Sequence, residues 1–268
     1  MELLPTYREM SWRGHFDGPW SAEAERRYAE GGYDALAMST GGGWDPVDLA
    51  FLRGLAGLRS FSVNGRIKND IDAFAIESLE NLVLGTGCRK RVPDMVQPNV
   101  HRLYLTDRPG IAVAEKWPAV QWLSVGGWRG TDLSVLENAA DIRFAEFGGR
   151  RQSGTLDGIE GCSAIETLVT VNYSVKDTAP LRGLRSLTEL RLLAVRPTPV
   201  HGRIDIADLQ ASPLVKLWIA DVPVIHSIEA LAAIPTLREL RLGGCRLSSS
   251  DQRFLDRLSQ RVKVDVLD

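Results

Sequence analysis

The sequence predicts an α/β fold of the solenoid type. A curved parallel β-sheet is expected on the concave side, with 3₁₀ helices, short helices and turns on the convex side. Three observations predict it: an apolar frame recurs about every 22 residues, two positions of each frame are almost always apolar, and a second apolar pattern precedes some frames. Such units must stack, because none of them can bury its own apolar side alone.

The frame is clearest near the end of the chain. Leu237, Leu240, Leu242, Cys245 and Leu247 spell L-x-x-L-x-L-x-x-C-x-L, which is the signature of a leucine-rich repeat in its cysteine form. The first apolar position of the same frame recurs along nearly the whole chain, at Tyr33, Leu58, Leu79, Val100, Val120, Ile142, Ile165, Leu187, Leu214 and Leu237.

The fourth and sixth positions of the frame predict short strands. They run from Leu36 and Met38 in the first frame to Leu240 and Leu242 in the tenth, and only Thr170 among them is polar. Side chains two apart in a strand point to the same side, so these residues form the core and positions three and five face the concave surface. Each buried Leu or Val should contribute about 1.5–3 kcal/mol.

A second pattern leads into the strands. Asp177, Leu181, Leu184 and Leu187 spell D-x-A-P-L-x-x-L-x-x-L. This resembles the short repeats of the internalin family, a likeness that covers about residues 33–266 and implies a convex side of 3₁₀ turns. The ninth position departs from that family, in which it is usually Asn or Cys. Because the buried asparagines that satisfy backbone groups between coils are missing here, irregular turns are expected in the middle of the array. The ninth position is occupied here by Arg66, Gly87, Arg108, Trp128, Arg150, Tyr173, Val195, Val222 and Cys245.

Three domains are expected: an N-terminal cap over residues 1–32, an array of about ten repeats over 33–247, and a C-terminal capping helix and strand over 248–268. Ser21 should cap a helix through Tyr28, and the run Ser248 to Ser250 should cap a helix that carries Phe254, Leu255 and Leu258. Trp12, Phe16 and Trp20 are expected to cover the open end of the first coil. The longest frame contains the insertion Arg196–Gly202, which is either a tolerated loop or a ligand contact.

Bulk properties limit the partners. Lys and Arg total 32 and Asp and Glu total 34, giving a net charge of −2, so no nucleic acid is expected because such binding needs a basic face. No run of about 18 apolar residues predicts a membrane span, and residues 1–9 lack the features of a secretory signal. Three widely spaced cysteines predict no disulfide frame. A monomeric, cytoplasmic protein is expected.

Chemistry-bearing motifs are missing from the sequence. No phosphate loop, nucleophile elbow or zinc-helix motif occurs, so no catalytic residue, metal or cofactor is predicted. His101 shares a coil with Tyr104 and Asp107, but no nucleophile accompanies them. The glycine pairs at 126–127, 148–149 and 243–244 occupy equivalent frame positions and are predicted to be turn glycines, as is the run Gly41–Gly43.

The concave face offers the strongest candidate site. Tyr104, Trp122 and Phe144 fall at positions three or five of successive strands, which lie about 4.8 Å apart. They should form an aromatic patch because neighbouring strands place them side by side. Either the patch is an interface, or its rings pack together under a loop. The candidate partner-binding residues are Arg102, Tyr104, Trp122, Ser124, Phe144, Glu146 and Trp218.

The predicted function is a non-catalytic recognition module that binds a protein or peptide on its concave face. Two versions stay open, an adaptor and a protein resembling the repeat proteins that act as immunity partners of toxins. A bacterial origin follows only from the internalin resemblance. The alternatives are an enzyme that holds its substrate in the repeat groove and a structural repeat protein without a dedicated ligand.

Overall fold

The computed structural model describes residues 15–17, 20–40, 46–55, 57–193, 202–222 and 224–267. Trp12, the run Gly41–Gly43 and most of the Arg196–Gly202 insertion lie outside these ranges. The chain divides into two compact units, residues 1–111 and 112–268, and each is described by itself.

Among its described residues, the first unit contains one α-helix, two 3₁₀ helices and a row of parallel strands. Helix α1 spans Ala22–Glu30, and the Ser21 side chain accepts a hydrogen bond from the Ala24 N–H, as the sequence predicts. The helix ends two residues beyond the predicted Tyr28. Two 3₁₀ helices span Ala50–Gly54 and Ile71–Ala75. The strands are β1 (His15–Asp17), β2 (Ala35–Ser39), β3 (Ser60–Gly65), β4 (Asn81–Thr86) and β5 (Arg102–Thr106).

These five strands pair in chain order, and every pairing is parallel. Their register aligns the repeat frames: Leu82 and Leu84 of β4 stand opposite Leu103 and Leu105 of β5. All four side chains are fully buried, so the fourth and sixth positions form the core of this unit.

The second unit continues the same plan. Helices α2 and α3 span Val113–Lys116 and Ser249–Leu258, and 3₁₀ helices span Ser134–Leu136, Ile159–Gly161, Ala179–Gly183, Ile206–Leu209 and Ile228–Ala233. The strands are β6 (Trp122–Trp128), β7 (Phe144–Gly154), β8 (Thr167–Val175), β9 (Glu189–Leu193), β10 (Ile204–Asp205), β11 (Lys216–Ala220), β12 (Ile225–His226), β13 (Glu239–Gly243) and β14 (Lys263–Leu267).

The main strands of this unit are also parallel, in the order β6-β7-β8-β9-β11-β13-β14, while β10 pairs with β12 separately. Leu190, Leu217 and Leu240 are in register and buried. The 3₁₀ helices of neighbouring repeats pack against one another and add apolar side chains such as Leu181 and Leu231 to the core. The predicted division of labour between strands and 3₁₀ turns is confirmed.

Helix α3 begins with a complete capping box. The Ser248 hydroxyl accepts a hydrogen bond from the Asp251 N–H, and the Asp251 carboxylate accepts one from the Ser248 N–H. Two of the otherwise unpaired donors of the first turn are thereby satisfied. The division of the chain into a cap, an array and a C-terminal cap stays a prediction.

Different side chains replace the usual asparagine at position nine. Trp128, Tyr173 and Arg108 are all buried. The Trp128 indole N–H donates to the Asp132 carbonyl at 3.2 Å, and the Tyr173 hydroxyl donates to the Thr155 carbonyl at 2.8 Å. In these two repeats, an indole and a phenol at position nine therefore satisfy backbone carbonyls.

The predicted irregularity in the middle of the array is confirmed. The β6–β7 register shifts between Gly126 and Trp128, and the β7–β8 register shifts between Gly148 and Gln152. Gly127 and Gly149, which the sequence predicted to be turn glycines, lie instead inside β6 and β7 and accommodate the shift there. Gly127 has a φ of 69°, and a Cβ atom at Gly149 would lie 2.6 Å from the Asn172 carbonyl oxygen.

Candidate functional site

Positions three and five of the strands point away from the core and form a surface that we call the open face. In β9 and β13 the side chains at these positions are partly exposed, while those between them are buried. Six of the seven predicted site residues are partly exposed at such positions, whereas Ser124 is buried.

Trp122 and Phe144 form the first feature of this face in the second unit. The two residues are in register on β6 and β7, and both are half-buried. Their rings are parallel, with an interplanar angle of 4° and centroids 4.8 Å apart. Stacked rings of this kind prefer such separations, so the predicted contact between these two aromatic residues is present.

Ser124 and Glu146 form the next pair along the same two strands. The Ser124 hydroxyl donates a hydrogen bond of 3.2 Å to the Glu146 carboxylate. Glu146 is half-buried, and the bond fixes its side chain beside the stacked rings. A polar acceptor thus accompanies the aromatic surface, an arrangement that suits a protein interface.

Arg102 and Tyr104 lie on β5, in the first unit. Both are half-buried, and both occupy open-face positions of their strand. A single patch that combines Tyr104 with Trp122 and Phe144 stays a prediction.

Trp218 is the centre of a second feature, which sequence analysis named only in part. It lies on β11 and is in register with Arg191 of β9 and Arg241 of β13. The guanidinium carbons of these arginines lie 5.9 and 5.5 Å from the indole ring centroid. These distances are within the range of cation–π contacts, so Trp218 stands between two cations.

Each arginine is held by a glutamate of its own strand. The Arg191 Nε donates to Glu189 at 2.5 Å, and an Arg241 guanidinium nitrogen lies 2.7 Å from a Glu239 carboxylate oxygen. Lys216 is more loosely placed, with its ammonium 3.7 Å from Glu189. The two arginines are therefore oriented by ion pairs as well as by the ring.

A groove of about 220 Å³ lies over this cluster. The indole N–H of Trp218 is buried and has no hydrogen-bond partner among the described residues, although a buried N–H donor normally has one. We call this feature the Trp218 groove. It is lined by Glu189, Arg191, Lys216, Leu217, Trp218, Glu239 and Arg241.

The sequence predicted Trp218 as a site residue but missed Arg191 and Arg241. The signal that could have revealed them is their shared frame position. Arg191, Trp218 and Arg241 all occupy position five of frames whose strands prove to be neighbours. Only the register shows that the two arginines flank the ring, since the long insertion intervenes between the frames of Arg191 and Trp218.

Other kinds of site find no support in the described part of the chain. No group of three or more His, Cys, Asp or Glu side chains is placed there to hold a metal ion. None of the helices described is long and apolar enough to cross a membrane. His101 is exposed immediately before β5.

Neither protein-family models nor curated proteins match the sequence. Among solved structures, an internalin of Listeria monocytogenes is similar over 87% of this chain and 67% of its own, at 17% identity and a TM-score of 0.63. A leucine-rich-repeat protein of Leptospira interrogans covers 78% of this chain and 61% of its own, at 11% identity and a TM-score of 0.49. The parallel strands, the 3₁₀ turns and the first of these likenesses together show that the chain has the leucine-rich-repeat solenoid fold.

Proposed function

We propose that this protein is a non-catalytic recognition module that binds a protein or peptide on the open face of its sheet. The observation that carries the proposal is the stacked pair Trp122 and Phe144, which is half-buried on the open face. Tryptophan and arginine are enriched among the residues that dominate binding energy at protein interfaces, and the same face also presents Trp218 between Arg191 and Arg241.

The fold supports recognition in general, because a stacked array offers an extended surface on which a partner can lie. The finer proposal is that the protein acts as a monomer in a bacterial cytoplasm, either as an adaptor or as an immunity-type partner of a toxin. These two versions differ in whether the partner is an enzyme that the complex inactivates.

Site-specific photo-crosslinking tests the proposal. A benzophenone amino acid is placed at Thr167, which is in register with Phe144 on the neighbouring strand, and the full chain is irradiated in its native host. The matched control places the same group at Glu160, which is exposed in the 3₁₀ helix Ile159–Gly161. We expect one protein to be crosslinked from Thr167 and not from Glu160.

Two results would contradict the proposal. Identical products from both positions would mean that the open face has no dedicated partner, as expected of a structural repeat protein. Capture of only a small molecule, detected by mass spectrometry of the purified chain, would favour the enzyme alternative instead.

A further inference from the structure

We propose that the Trp218 groove binds an acidic segment of the partner protein. Carboxylates of that segment pair with Arg191 and Arg241, and a carboxylate oxygen accepts a hydrogen bond from the Trp218 indole N–H. The inference rests on the proposed function and deepens it, because it specifies the chemistry that the partner presents to this part of the open face.

The first argument is the position of the charges within the groove. The side chains of Arg191, Lys216 and Arg241 are 42%, 49% and 38% exposed, whereas those of Glu189 and Glu239 are only 16% and 27% exposed. The cations therefore lie at the mouth of the groove and the carboxylates lie deeper. An approaching segment meets positive charge first, and complementary acidic residues are attracted to it.

The second argument is the buried indole N–H. Leaving such a donor unsatisfied is unfavourable, and within the described residues nothing accepts from Trp218. The N–H is itself shielded from solvent, so an acceptor reaches it only if a flanking arginine shifts outward. A carboxylate can bind the shifted guanidinium and accept from the indole at the same time, which a single uncharged carbonyl does less well.

The third argument is preorganisation. Contact with the ring and the ion pair with a glutamate of its own strand hold the arginine that stays in place, so little side-chain entropy remains to be lost at that residue on binding. A guanidinium has five N–H donors in a fixed plane. The glutamates use only some of them, and the Arg241 Nε also lies 3.5 Å from an Asp265 carboxylate oxygen. A second carboxylate would therefore bind the remaining terminal N–H groups of the two arginines.

The volume of the groove and the charge of the chain favour an acidic protein segment over other anionic ligands. The groove, at about 220 Å³, is smaller than the roughly 300–1,000 Å³ typical of small-molecule pockets, and it suits side chains better than a whole metabolite. Nucleic acid is disfavoured because the net charge of the chain is −2 and the position-three row alternates Glu189, Lys216, Glu239 and Lys263, which leaves no continuous basic track.

The test uses the full chain with ¹⁵N-labelled tryptophan, and its probe is an acetylated hexaglutamate amide. The Trp218 indole N–H resonance is assigned as the one that Trp218→Phe removes. We expect hexaglutamate to shift this resonance saturably, and hexaglutamine and hexalysine peptides to leave it in place. Arg191→Gln and Arg241→Gln should each weaken binding about tenfold, since each removes a charge-assisted hydrogen bond.

Arg253→Gln is the matched control, because Arg253 is exposed on helix α3. The substitution removes the same charge as the groove variants do, but at a site away from the groove. We expect it to leave the affinity for hexaglutamate unchanged. An equal loss of affinity in this variant would overturn the inference, because binding would then reflect net charge alone.

Three further results would also overturn it: no movement of the Trp218 resonance at any hexaglutamate concentration, equal binding of hexaglutamine, or a shift produced by a thymidine hexanucleotide and not by hexaglutamate. If crosslinking from Thr167 succeeds while hexaglutamate fails, the groove assignment is wrong and the proposed function stands. If hexaglutamate binds as expected while Thr167 captures nothing, the proposed function is wrong and the groove is an anion site only.

Discussion

Arg108 and Asp70 form a fully buried ion pair across 38 residues of sequence. The two guanidinium N–H groups donate to the two carboxylate oxygens at 2.6 and 2.8 Å, and neither side chain is exposed. Thr86, on the intervening coil, donates its hydroxyl to the same carboxylate at 2.5 Å. One carboxylate thus connects three successive coils of the first unit.

Arg108→Met should lower the free energy of unfolding by about 3–5 kcal/mol, because it leaves the Asp70 carboxylate buried without its cation. Urea unfolding measures the change. Combining Arg108→Met with Asp70→Asn should restore most of the loss, since no unpaired charge then remains. A double variant as unstable as the sum of the two single variants would show that the pair is not coupled.

Stability should decline in acid. Burial by itself raises the pKa of Asp70, but the hydrogen bonds and charge of Arg108, together with the Thr86 hydroxyl, outweigh it and hold that pKa below its usual range. The carboxylate therefore contributes stability above the unfolded-state pKa of about 3.9, and this contribution is lost as the pH falls through the folded-state value.

Urea midpoints measured between about pH 6 and pH 2 check this dependence. We expect the double variant Arg108→Met, Asp70→Asn to have a shallower decline than the native chain. Parallel curves for the two proteins would mean that other carboxylates account for acid unfolding.

Thr170→Val should stabilise the chain by about 1 kcal/mol, because the Thr170 hydroxyl is fully buried and has no hydrogen-bond partner among the described residues. Valine keeps the shape and removes the unsatisfied group. Thr167→Val, at a partly exposed position of the same strand, is the control and should change stability by less than about 0.5 kcal/mol. A lower urea midpoint for Thr170→Val would refute the explanation.

Trp122→Ala should weaken binding of the crosslinked partner by about 2 kcal/mol, or roughly 30-fold, if the stacked pair is a hot spot. Titration calorimetry with the purified partner measures it. Trp20→Ala is the matched control, because Trp20 also stacks on a phenylalanine, Phe51 of a 3₁₀ helix, at 4.7 Å. Equal affinity of the Trp122→Ala variant and the native chain would remove the pair from the interface.

Cysteine reactivity should follow burial. Burial raises the pKa of the Cys162 thiol to about 12, so almost no nucleophilic thiolate is present near neutral pH. Cys88 is also buried, whereas Cys245 is partly exposed. Iodoacetamide at pH 8 should label Cys245 first in the native chain and all three residues in urea. Labelling of native Cys162 as fast as Cys245 would contradict the buried position.

The sequence predicted the core better than the polar contacts. Positions four and six could be recognised because an apolar side chain recurs there in each repeat, and one frame confirms the next. The pairing of Arg108 with Asp70 has no such repetition, because Arg108 occupies the ninth position of its frame and Asp70 lies outside the repeat frame. Contacts made once in a chain leave no period to detect.

The candidate site shows the same limit. Trp122 and Phe144 were predicted to touch because their frames follow one another without an insertion. Arg191 was not connected with Trp218 because β10 and the insertion separate their frames. Strand pairing of β9 with β11, which skips β10, depends on the packing of the whole unit and not on local spacing.

The variety at position nine determines whether the coils are interchangeable. In an array with the same asparagine in each turn, a duplicated repeat makes the same contacts with its neighbours as the original. Such an array can gain or lose repeats without leaving a group unpaired. Here a repeat inserted between Asp70 and Arg108 would move the Arg108 guanidinium one coil further from the Asp70 carboxylate. Both charges would then be buried without a partner. Growth by duplication is therefore blocked at this place, and the number of turns in this stretch is fixed by a single unrepeated contact.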